Sequence, residues 1–373
     1  MKYNIPFIKP NFPAVNELAN EYTSIIKSNW YTNFGPYEKK FRQAIEEYID
    51  HNGIISVTFA NATIALIAAI VSILGKGDGS KKIIMPSFTF VAGAQAILWG
   101  GYRPIFVDIN PDDLQANINL AQKILSVDDD IVAILFCNSF GIGSKDIIKW
   151  ESMARKHSIP LIIDSAAGFG SKYSTGEALG SKGNCEIFSF HATKPFAIGE
   201  GGAVTTKDSN LAKKLHEFTN FGFNDVGNST QLSMNAKMQE LNAVIGLLQF
   251  KHFESRLKNR RLAYKNYWRH LEGVGFKSVD NIENSSLCFA TLICPPAIDN
   301  LQLIKHLQSL GIQARKYYNL PIHKQAYFEN GLELYNTEIV ANSVISLPIH
   351  DDEYEYTDII CREIILFIES KIK

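Results

Sequence analysis

The sequence has little excess charge of either sign and few cysteines. Its 37 Lys and Arg residues balance 38 Asp and Glu residues, which leaves a formal charge of −1. This balance argues against the basic surface by which proteins bind nucleic acid, so we expect no nucleic-acid partner. The five cysteines show no CxxC spacing, which argues against the common zinc and dithiol motifs. Most lie in apolar runs and are predicted to be buried thiols in a reducing cytosol: Cys137, Cys185, Cys288, Cys294 and Cys361.

Long apolar runs are also missing. No stretch approaches the roughly 18 uninterrupted apolar residues of a membrane-spanning helix, so we expect no membrane partner. The segment Met1–Pro6 lacks the apolar core of a signal peptide. We therefore expect a cytoplasmic protein. With 373 residues, 46% of them hydrophobic, the chain is long enough for two domains or for one large and one small lobe.

Short β-rich runs alternate with helical runs between about residues 54 and 206. The apolar runs Ile54–Phe59, Ile131–Phe136 and Leu161–Ile163 are predicted strands, and Ala62–Leu74 is a predicted helix. Such alternation is typical of the α/β class, in which helices flank both faces of a mostly parallel sheet.

Beyond about residue 270 the pattern changes to that of a smaller α+β lobe. We expect an N-terminal arm over 1–30 that packs on this small domain. A large domain is predicted over 31–255 and the small C-terminal domain over 256–373. The basic segment Arg256–Arg261 is predicted to be a solvated face of a helix.

A lysine follows one of the predicted strands. Lys194 lies on a loop between the strand that ends near Phe190 and the glycine-rich segment Gly199–Thr206. Phe190 and Phe196 predict partly apolar surroundings, which lower the pKa of an amine and free it as a nucleophile. Most lysines beside turns are simply exposed, so the prediction depends on two further stretches.

The first of these stretches is the buried run that ends in Asp164. Ligands of open α/β sheets bind beyond the carboxyl ends of the strands, which is where Asp164 falls. A carboxylate there can keep a pyridine nitrogen protonated, as the acidic partner of pyridoxal 5′-phosphate (PLP) does in enzymes with a cofactor-binding lysine. A helix N-cap is the alternative role for Asp164.

The second stretch is Ser56–Leu66, a strand that leads into a helix through small polar residues. Asn61 or Thr63 can cap that helix, and the free N–H groups of its first turn favour a phosphate. An ordinary N-cap is the alternative. Together with Asp164 and Lys194, this stretch completes the set of groups that a PLP enzyme needs.

Several motifs resemble the DegT/DnrJ/StrS family of PLP-dependent nucleotide-sugar aminotransferases. The central motif is Ser189-Phe190-His191-x-x-Lys194, followed by Gly199-Glu200-Gly201-Gly202-Ala203. The resemblance extends from Trp30 to Pro348 and also includes Met85–Ala92, Phe106–Ile109, Asn235–Met238 and Gly311–Arg315. It implies the fold type I of PLP aminotransferases and a homodimer whose active sites lie at the subunit interface.

The resemblance also implies a role for individual residues. Lys194 would bind the cofactor covalently and then act as general base and acid, and Asp164 would hold the ring nitrogen protonated. The phosphate would be held by Asn61, Ala62, Thr63 and Ser189, with Asn235 reaching in from the partner subunit, and Phe90 would stack on the cofactor ring. The candidate substrate-binding residues are Tyr31, Phe34, His191, Lys237, Arg315 and His323, although structural roles stay open for Arg315 and His323.

The sequence departs from the family pattern near the predicted site. Ala167 stands where many members have a Gln that bonds the 3′ oxygen of the cofactor, and an alanine cannot do so. Ser233 replaces a common Gly, and Lys237 replaces an Arg, which keeps the charge but loses the bidentate fork. Lys194 is kept, whereas a dehydratase branch has His at that position.

The resemblance implies transfer of an amino group from glutamate to a keto-sugar on a nucleoside diphosphate. The acceptor would be a 3-keto or 4-keto-6-deoxy hexose, and the product an amino sugar for a surface polysaccharide such as the O-antigen of lipopolysaccharide. Two alternatives remain at this point: a PLP-dependent sugar dehydratase of the same fold, and a PLP-binding regulatory homologue without catalytic activity.

Overall fold

The computed structural model describes residues 4–50, 53–352 and 354–372, so residues 1–3 of the predicted arm lie outside it. Its α-helices are α1 Val15–Ser28, α2 Pro36–Ile49, α3 Ala62–Leu74, α4 Ala92–Trp99, α5 Ile118–Leu125, α6 Ile147–Lys156, α7 Ser209–Thr219, α8 Glu240–Leu271, α9 Asn300–Ser309, α10 Tyr335–Ser343 and α11 Tyr356–Ile372. Its strands are β1 Ile55–Phe59, β2 Lys82–Pro86, β3 Arg103–Val107, β4 Ile131–Cys137, β5 Leu161–Asp164, β6 Cys185–Ser189, β7 Gly202–Thr206, β8 Ala290–Ile293 and β9 Val344–Leu347.

A seven-stranded sheet forms the centre of the large lobe, in the order β1-β7-β6-β5-β4-β2-β3. Strands β2 to β6 pair in parallel, and β7 runs antiparallel to both of its neighbours, β1 and β6. Helical crossovers join most of the parallel strands, as such pairing requires. The predicted fold class is confirmed, and the carboxyl ends of β2, β4, β5 and β6 lie at one edge of the sheet.

Each face of this sheet carries its own apolar core. Successive side chains of a strand point to opposite faces, so Ile162 and Ile187 join one core while Ile163 and Phe188 join the other. Helix α3 packs on the first face, and its nearly continuous apolar sequence is explained by burial against both the sheet and α4.

The smaller lobe is built on the antiparallel pair β8–β9 with α9 and α11. Its core includes Tyr264 and Tyr267 from the end of α8, whereas Leu257 of the same helix belongs to the core of the large lobe. Helix α8 therefore packs in the core of the large lobe at Leu257 and in the core of the small lobe nearer its end. The boundary predicted between residues 255 and 256 stays a prediction.

The N-terminal residues join both lobes. The backbone N–H groups of Asn4 and Ile5 donate to the carbonyl of Gly311, and that of Phe7 donates to Gln313 Oε1 at 2.8 Å. Helix α1 instead packs on α8 through Ile25. Of the predicted arm, the described residues 4–7 thus contact the small lobe.

The prediction of a solvated face at Arg256–Arg261 is wrong for two of its arginines. Arg260 is buried, forms an ion pair with Asp351 at 2.6 Å and donates to the carbonyls of Leu287 and Cys288. Arg256 is buried as well and donates to Gln249. A guanidinium has five donors, so it can be buried where carbonyls and a carboxylate satisfy them.

All five cysteines are free and buried, which confirms their predicted burial. Among the described helices, none combines the length and apolar character needed to span a membrane.

Candidate active site

A cavity of about 660 Å³ lies at the carboxyl edge of the large sheet. Loops that follow the strands form its floor, while the N-terminal segment and the small lobe form the opposite wall. Many of the residues predicted for the site line this one cavity: Asn61, Ala62, Thr63, Phe90, Asp164, Ser189, His191 and Lys194.

Lys194 lies on a tight turn in the cavity wall. Its N–H donates to the carbonyl of His191 at 2.9 Å, and its side chain is half-buried. The rings of Phe190 and Phe196 are fully buried in the core beneath the sheet and do not line the cavity. Other apolar residues line the cavity instead, among them Phe289 of the small lobe.

Asp164 ends β5 at the bottom of the cavity and is 6% exposed. Its Oδ1 accepts a hydrogen bond from the N–H of Ala166 at 3.0 Å. Burial raises the pKa of this carboxyl, while the bond from Ala166 and the charge of Lys194 oppose that shift. A further cation in the cavity would therefore favour the ionised carboxylate.

The start of α3 forms the opposite end of the cavity. Asn61 caps the helix, since its Oδ1 accepts from the N–H of Ile64 at 3.0 Å. Ala62 and Thr63 occupy the first turn, where N–H groups have no preceding helical carbonyl as partner. Together with the positive end of the helix dipole they form a seat for an anion. Ser189 at the end of β6 lines the same cavity.

A glycine brings β7 against this seat. A Cβ on Gly202 would lie 2.7 Å from the backbone nitrogen of Ala62 and 2.8 Å from the carbonyl carbon of Asn61. Both are backbone atoms, which cannot rotate away. The strand and the helix start are therefore in their observed positions only because residue 202 has no side chain.

We expect Gly202→Ala to raise the dissociation constant of the apoprotein for PLP by about tenfold or more. The clash must displace the first turn of α3, and such overpacking costs about 1–3 kcal/mol. Titration by absorbance or fluorescence measures the affinity. Gly273→Ala is the matched control, because nothing lies within 4 Å of its added Cβ. Equal affinities of the two variants would contradict the proposed seat.

A buried polar network supports the floor of the cavity. Glu186 accepts hydrogen bonds from the hydroxyls of Ser165 and Tyr173 and from the N–H of Gly180. The side chain of Asn138, which lines the cavity, donates to Ser165 at 2.8 Å. Ser165 directly follows Asp164 at the end of β5, and Asn138 directly follows β4. The network therefore holds the ends of these two strands together beside Asp164. Burial raises the pKa of Glu186 to about 7, against the effect of these hydrogen bonds.

This raised pKa predicts a specific pH dependence of the free energy of unfolding. A carboxyl whose pKa is higher in the folded state stabilises most below its unfolded value of 4.5, and this contribution is lost as the pH rises through about 7. In the wild type this group lowers the free energy of unfolding by on the order of 3 kcal/mol between about pH 5 and pH 8. Glu186→Gln should remove this decrease, because an amide does not titrate. Denaturant unfolding across that range measures it, with the exposed Glu272→Gln as control. An unchanged slope in Glu186→Gln would contradict the assignment.

Four other predicted residues lie together on a surface outside the cavity. The ring of Phe34 stacks on His216 with centroids 4.1 Å apart, and Tyr31 is exposed beside the start of α8. Asn235 is exposed and pairs with Asn220, whose side chain accepts from Lys237 Nζ at 2.8 Å. We call this surface, formed by residues 30–35 and 216–237, the loop surface.

Arg315 and His323 do not line the cavity. The guanidinium of Arg315 stacks on Phe7, with 4.6 Å to the ring centroid, and donates to the hydroxyl of Tyr317. Both aromatic residues line the cavity, so Arg315 lies directly behind its wall. His323 is completely buried, and the observed geometry gives a substrate no access to it.

Sequence reasoning missed part of the cavity wall. Phe7 and Ile8 come from the N-terminal segment, and Cys288 and Phe289 come from the small lobe. No local pattern marks these four residues. Asn138 could have been found, since it follows the apolar run of β4 just as closely as Asp164 ends that of β5.

Ala167, which stands where many family members have a Gln, gives the cavity wall no side-chain donor at this position. Its carbonyl accepts from Ser286 Oγ at 3.1 Å. Tyr318 lines the same cavity, and burial raises the pKa of its hydroxyl well above the usual value.

Comparisons with known proteins identify the chain. The profile of the DegT/DnrJ/EryC1/StrS aminotransferase family matches residues 14–361. The chain belongs to this family. It is thus a PLP-dependent aminotransferase, as the residues of the cavity predicted.

Relatives from this family cover almost the whole chain. Protein Rv3402c of Mycobacterium tuberculosis is 43% identical over 93% of this chain and 86% of its own length. The dTDP-4-amino-4,6-dideoxy-D-glucose transaminase of Shigella dysenteriae is 29% identical, over 95% of this chain and 98% of that one. The crystal structure of DesI in the presence of its TDP-sugar product superposes with a TM-score of 0.88 at 27% identity, covering 100% of this chain and 94% of that one.

The residues of the cavity fit PLP chemically. The helix start that Gly202 leaves open suits a phosphate, the buried Asp164 suits a protonated ring nitrogen, and the amine of Lys194 suits an aldehyde. These are the three ends of the cofactor, and the chain offers a matching group for each within one cavity.

Proposed function

We propose that this aminotransferase moves an amino group from glutamate to the keto carbon of a nucleotide-linked deoxyhexose. The acceptor would be a 3-keto or 4-keto-6-deoxy sugar, and the product would serve surface polysaccharide. The observation that carries the proposal is the meeting of Lys194, Asp164 and the start of α3 in one cavity. The dTDP-linked amino sugar in the name of the Shigella dysenteriae transaminase and the TDP-sugar product of DesI support the choice of a nucleotide-linked sugar.

Bound PLP would act as an electron sink for the carbon that loses its proton. Asp164 would keep the ring nitrogen protonated, and burial would strengthen that ion pair because few waters compete for the carboxylate. Asn61, Ala62, Thr63 and Ser189 would hold the phosphate, and Phe90, which is 60% exposed on the cavity, would stack on the ring.

Lys194 would transfer the protons in the reaction. Its Nζ takes the proton from the α-carbon of the donor and returns a proton within the same site, so one group serves as base and acid. The turn that bonds its N–H to His191 holds its backbone in place while the side chain moves. A histidine could not bind the cofactor covalently in this way, which favours transamination over the dehydratase alternative.

The protein would work as a homodimer, with Asn235 reaching into the site of the partner subunit. Asn235 is exposed and lies outside the cavity of its own chain. The loop surface around it carries exposed aromatic rings, among them Trp30, Tyr31 and Phe221, and also Lys237, whose charge suits a diphosphate. These features would place Tyr31, Phe34 and Lys237, three of the predicted substrate-binding residues, at the mouth of the opposite site.

A complementation experiment tests this arrangement. Lys194→Ala and Asn235→Ala subunits, unfolded and refolded together in equal amounts, form half of their dimers as mixed pairs with one intact site each. About a quarter of the wild-type activity should return. Recovery of no activity, with mixed dimers present by mass spectrometry, would contradict the shared site.

The proposed reaction is tested in its two halves. The visible absorbance band of the PLP-loaded protein should move to the near-ultraviolet when glutamate is added, with release of 2-oxoglutarate. Nucleotide-linked 4-keto and 3-keto sugars are then screened for return of the band, and simple 2-keto acids serve as control acceptors. A band that glutamate and glutamine leave unchanged would contradict the donor, and one that no keto-sugar restores would contradict the acceptor.

A further inference from the structure

His323 is a buried histidine with a bonding partner on each ring nitrogen. Its Nδ1 lies 2.6 Å from Ser87 Oγ, and its Nε2 lies 3.2 Å from Glu338 Oε1. The backbone N–H of His323 donates to the same Ser87 oxygen at 3.0 Å. Since a carboxylate only accepts, Nε2 carries the proton, and the Ser87 hydroxyl donates to Nδ1. In this arrangement every polar group of the set has a bonding partner.

The order serine, histidine, glutamate resembles a hydrolytic triad, but the burial excludes that role. Ser87 and His323 are both completely buried, so no substrate atom can approach the hydroxyl. A buried and fully bonded polar network instead fixes the relative position of the segments it joins.

The first segment is the loop after β2, which carries Phe90 into the cavity. The carbonyl of Ser87 accepts from the N–H of Ile322 at 3.1 Å, in addition to the contacts with His323. Phe88 is buried between Phe140 and Tyr318, and Thr89 contacts Cys137 at 2.9 Å. Of residues 87–90, only Phe90 is exposed.

The second segment is α10 of the small lobe, which carries Glu338. The bond from His323 is the main reason why the pKa of Glu338 is lowered to about 2, so the carboxylate stays ionised. Asp108, one residue beyond β3, accepts from the N–H groups of Asn336 and Thr337 and so caps α10. Helix α10 is thereby attached to the edge of the sheet, and Glu338 is a fixed acceptor.

We propose that His323 is a positioning residue for the cofactor: acting through Ser87, it sets the place of Phe90 in the cavity wall. This rests on the proposed stacking of Phe90 on PLP. The imidazole of His323 thus links α10 of the small lobe to the loop of the large lobe that carries Phe90, and so fixes the position of the Phe90 ring. His323 does not touch substrate, in contrast to the role predicted for it.

Two amide variants distinguish the contribution of Nδ1 of His323 from that of Nε2. In His323→Asn the amide oxygen replaces Nδ1 and can accept from Ser87, whereas in His323→Gln the amide reaches the place of Nε2 and can donate to Glu338. We expect the PLP dissociation constant of His323→Gln to rise about tenfold and its induced circular dichroism to fall. His323→Asn should stay within about threefold of wild type in affinity. The opposite order would overturn the proposed action through Ser87.

A double-mutant cycle tests whether the effect passes through Phe90. Phe90→Ala and His323→Gln should each weaken PLP binding, and the double variant should bind no more weakly than Phe90→Ala alone. Additive losses would overturn the proposal, because they would indicate a general loss of structure. Thermal unfolding confirms that each variant is folded, and Ser87→Ala replaces His323→Gln if that variant is not. Failure of wild-type protein to bind PLP would contradict the proposed function itself, which keeps the two failures distinct.

Discussion

Lys194→Ala is expected to lower the transamination rate by about 10²–10⁴-fold or more, which is the range that general acid–base catalysis contributes. The variant should also lack the visible band of the cofactor bound through a lysine, because no other lysine lines the described part of the cavity. PLP should still bind without a covalent bond, since the start of α3 and Asp164 are unchanged. Absorbance after borohydride reduction and gel filtration, together with the rate of 2-oxoglutarate release, measures these effects.

Lys149→Ala is the matched control for this prediction. That lysine is exposed on α6, lies outside the cavity wall and pairs with Asp146 at 2.7 Å, so its removal should change neither the spectrum nor the rate. Retention of the band in Lys194→Ala would mean that another amine holds the cofactor. The assignment of the whole site would then be wrong.

Asp164→Asn is expected to lower the rate by about 10²–10³-fold, the loss typical of removing one preorganised electrostatic group. An amide cannot keep the ring nitrogen protonated, and because the site is buried little water compensates. The variant should remain folded, since the amide oxygen can still accept from Ala166. The rate of the glutamate half-reaction is measured by stopped-flow absorbance.

A second buried carboxylate supplies the control. Asp113 is 5% exposed and accepts from the N–H of Gln115, and it lies outside the cavity wall. Asp113→Asn makes the same chemical change without touching the cofactor, so its rate should match wild type. Equal losses in the two variants would show that the effect of Asp164→Asn reflects damage to the fold.

Local patterns were sufficient to predict the chemical groups at the strand ends. Asn61 and Asp164 each adjoin an apolar run, and Lys194 lies on the loop that follows another. Strands that run in the same direction within one sheet end at the same edge, so these residues converge whatever their distance in sequence. The same periodicity explains the burial of Phe190, because this residue alternates with Ser189 and so shares the buried face of Phe188.

Long-range contacts could not be predicted in this way. Phe7 and Phe289 reach the cavity because the N-terminal segment bonds to the small lobe, a pairing that no local propensity encodes. Arg260 is buried because carbonyls of a distant loop need donors, and charge patterning cannot show that acceptors will be present. The same holds for His323, whose partners lie 236 and 15 residues away in sequence.

The sequence by itself thus determined the α/β class, and it predicted the anion seat at the start of α3 and the roles of Asp164 and Lys194, because each depends on a periodicity or on the end of a strand. Only the tertiary structure decided which residues close the cavity and which predicted substrate residues are buried or lie on the loop surface. Those outcomes depend on how the two lobes dock. Docking is a sum of many weak contacts between distant segments, and no single stretch of sequence contains that sum.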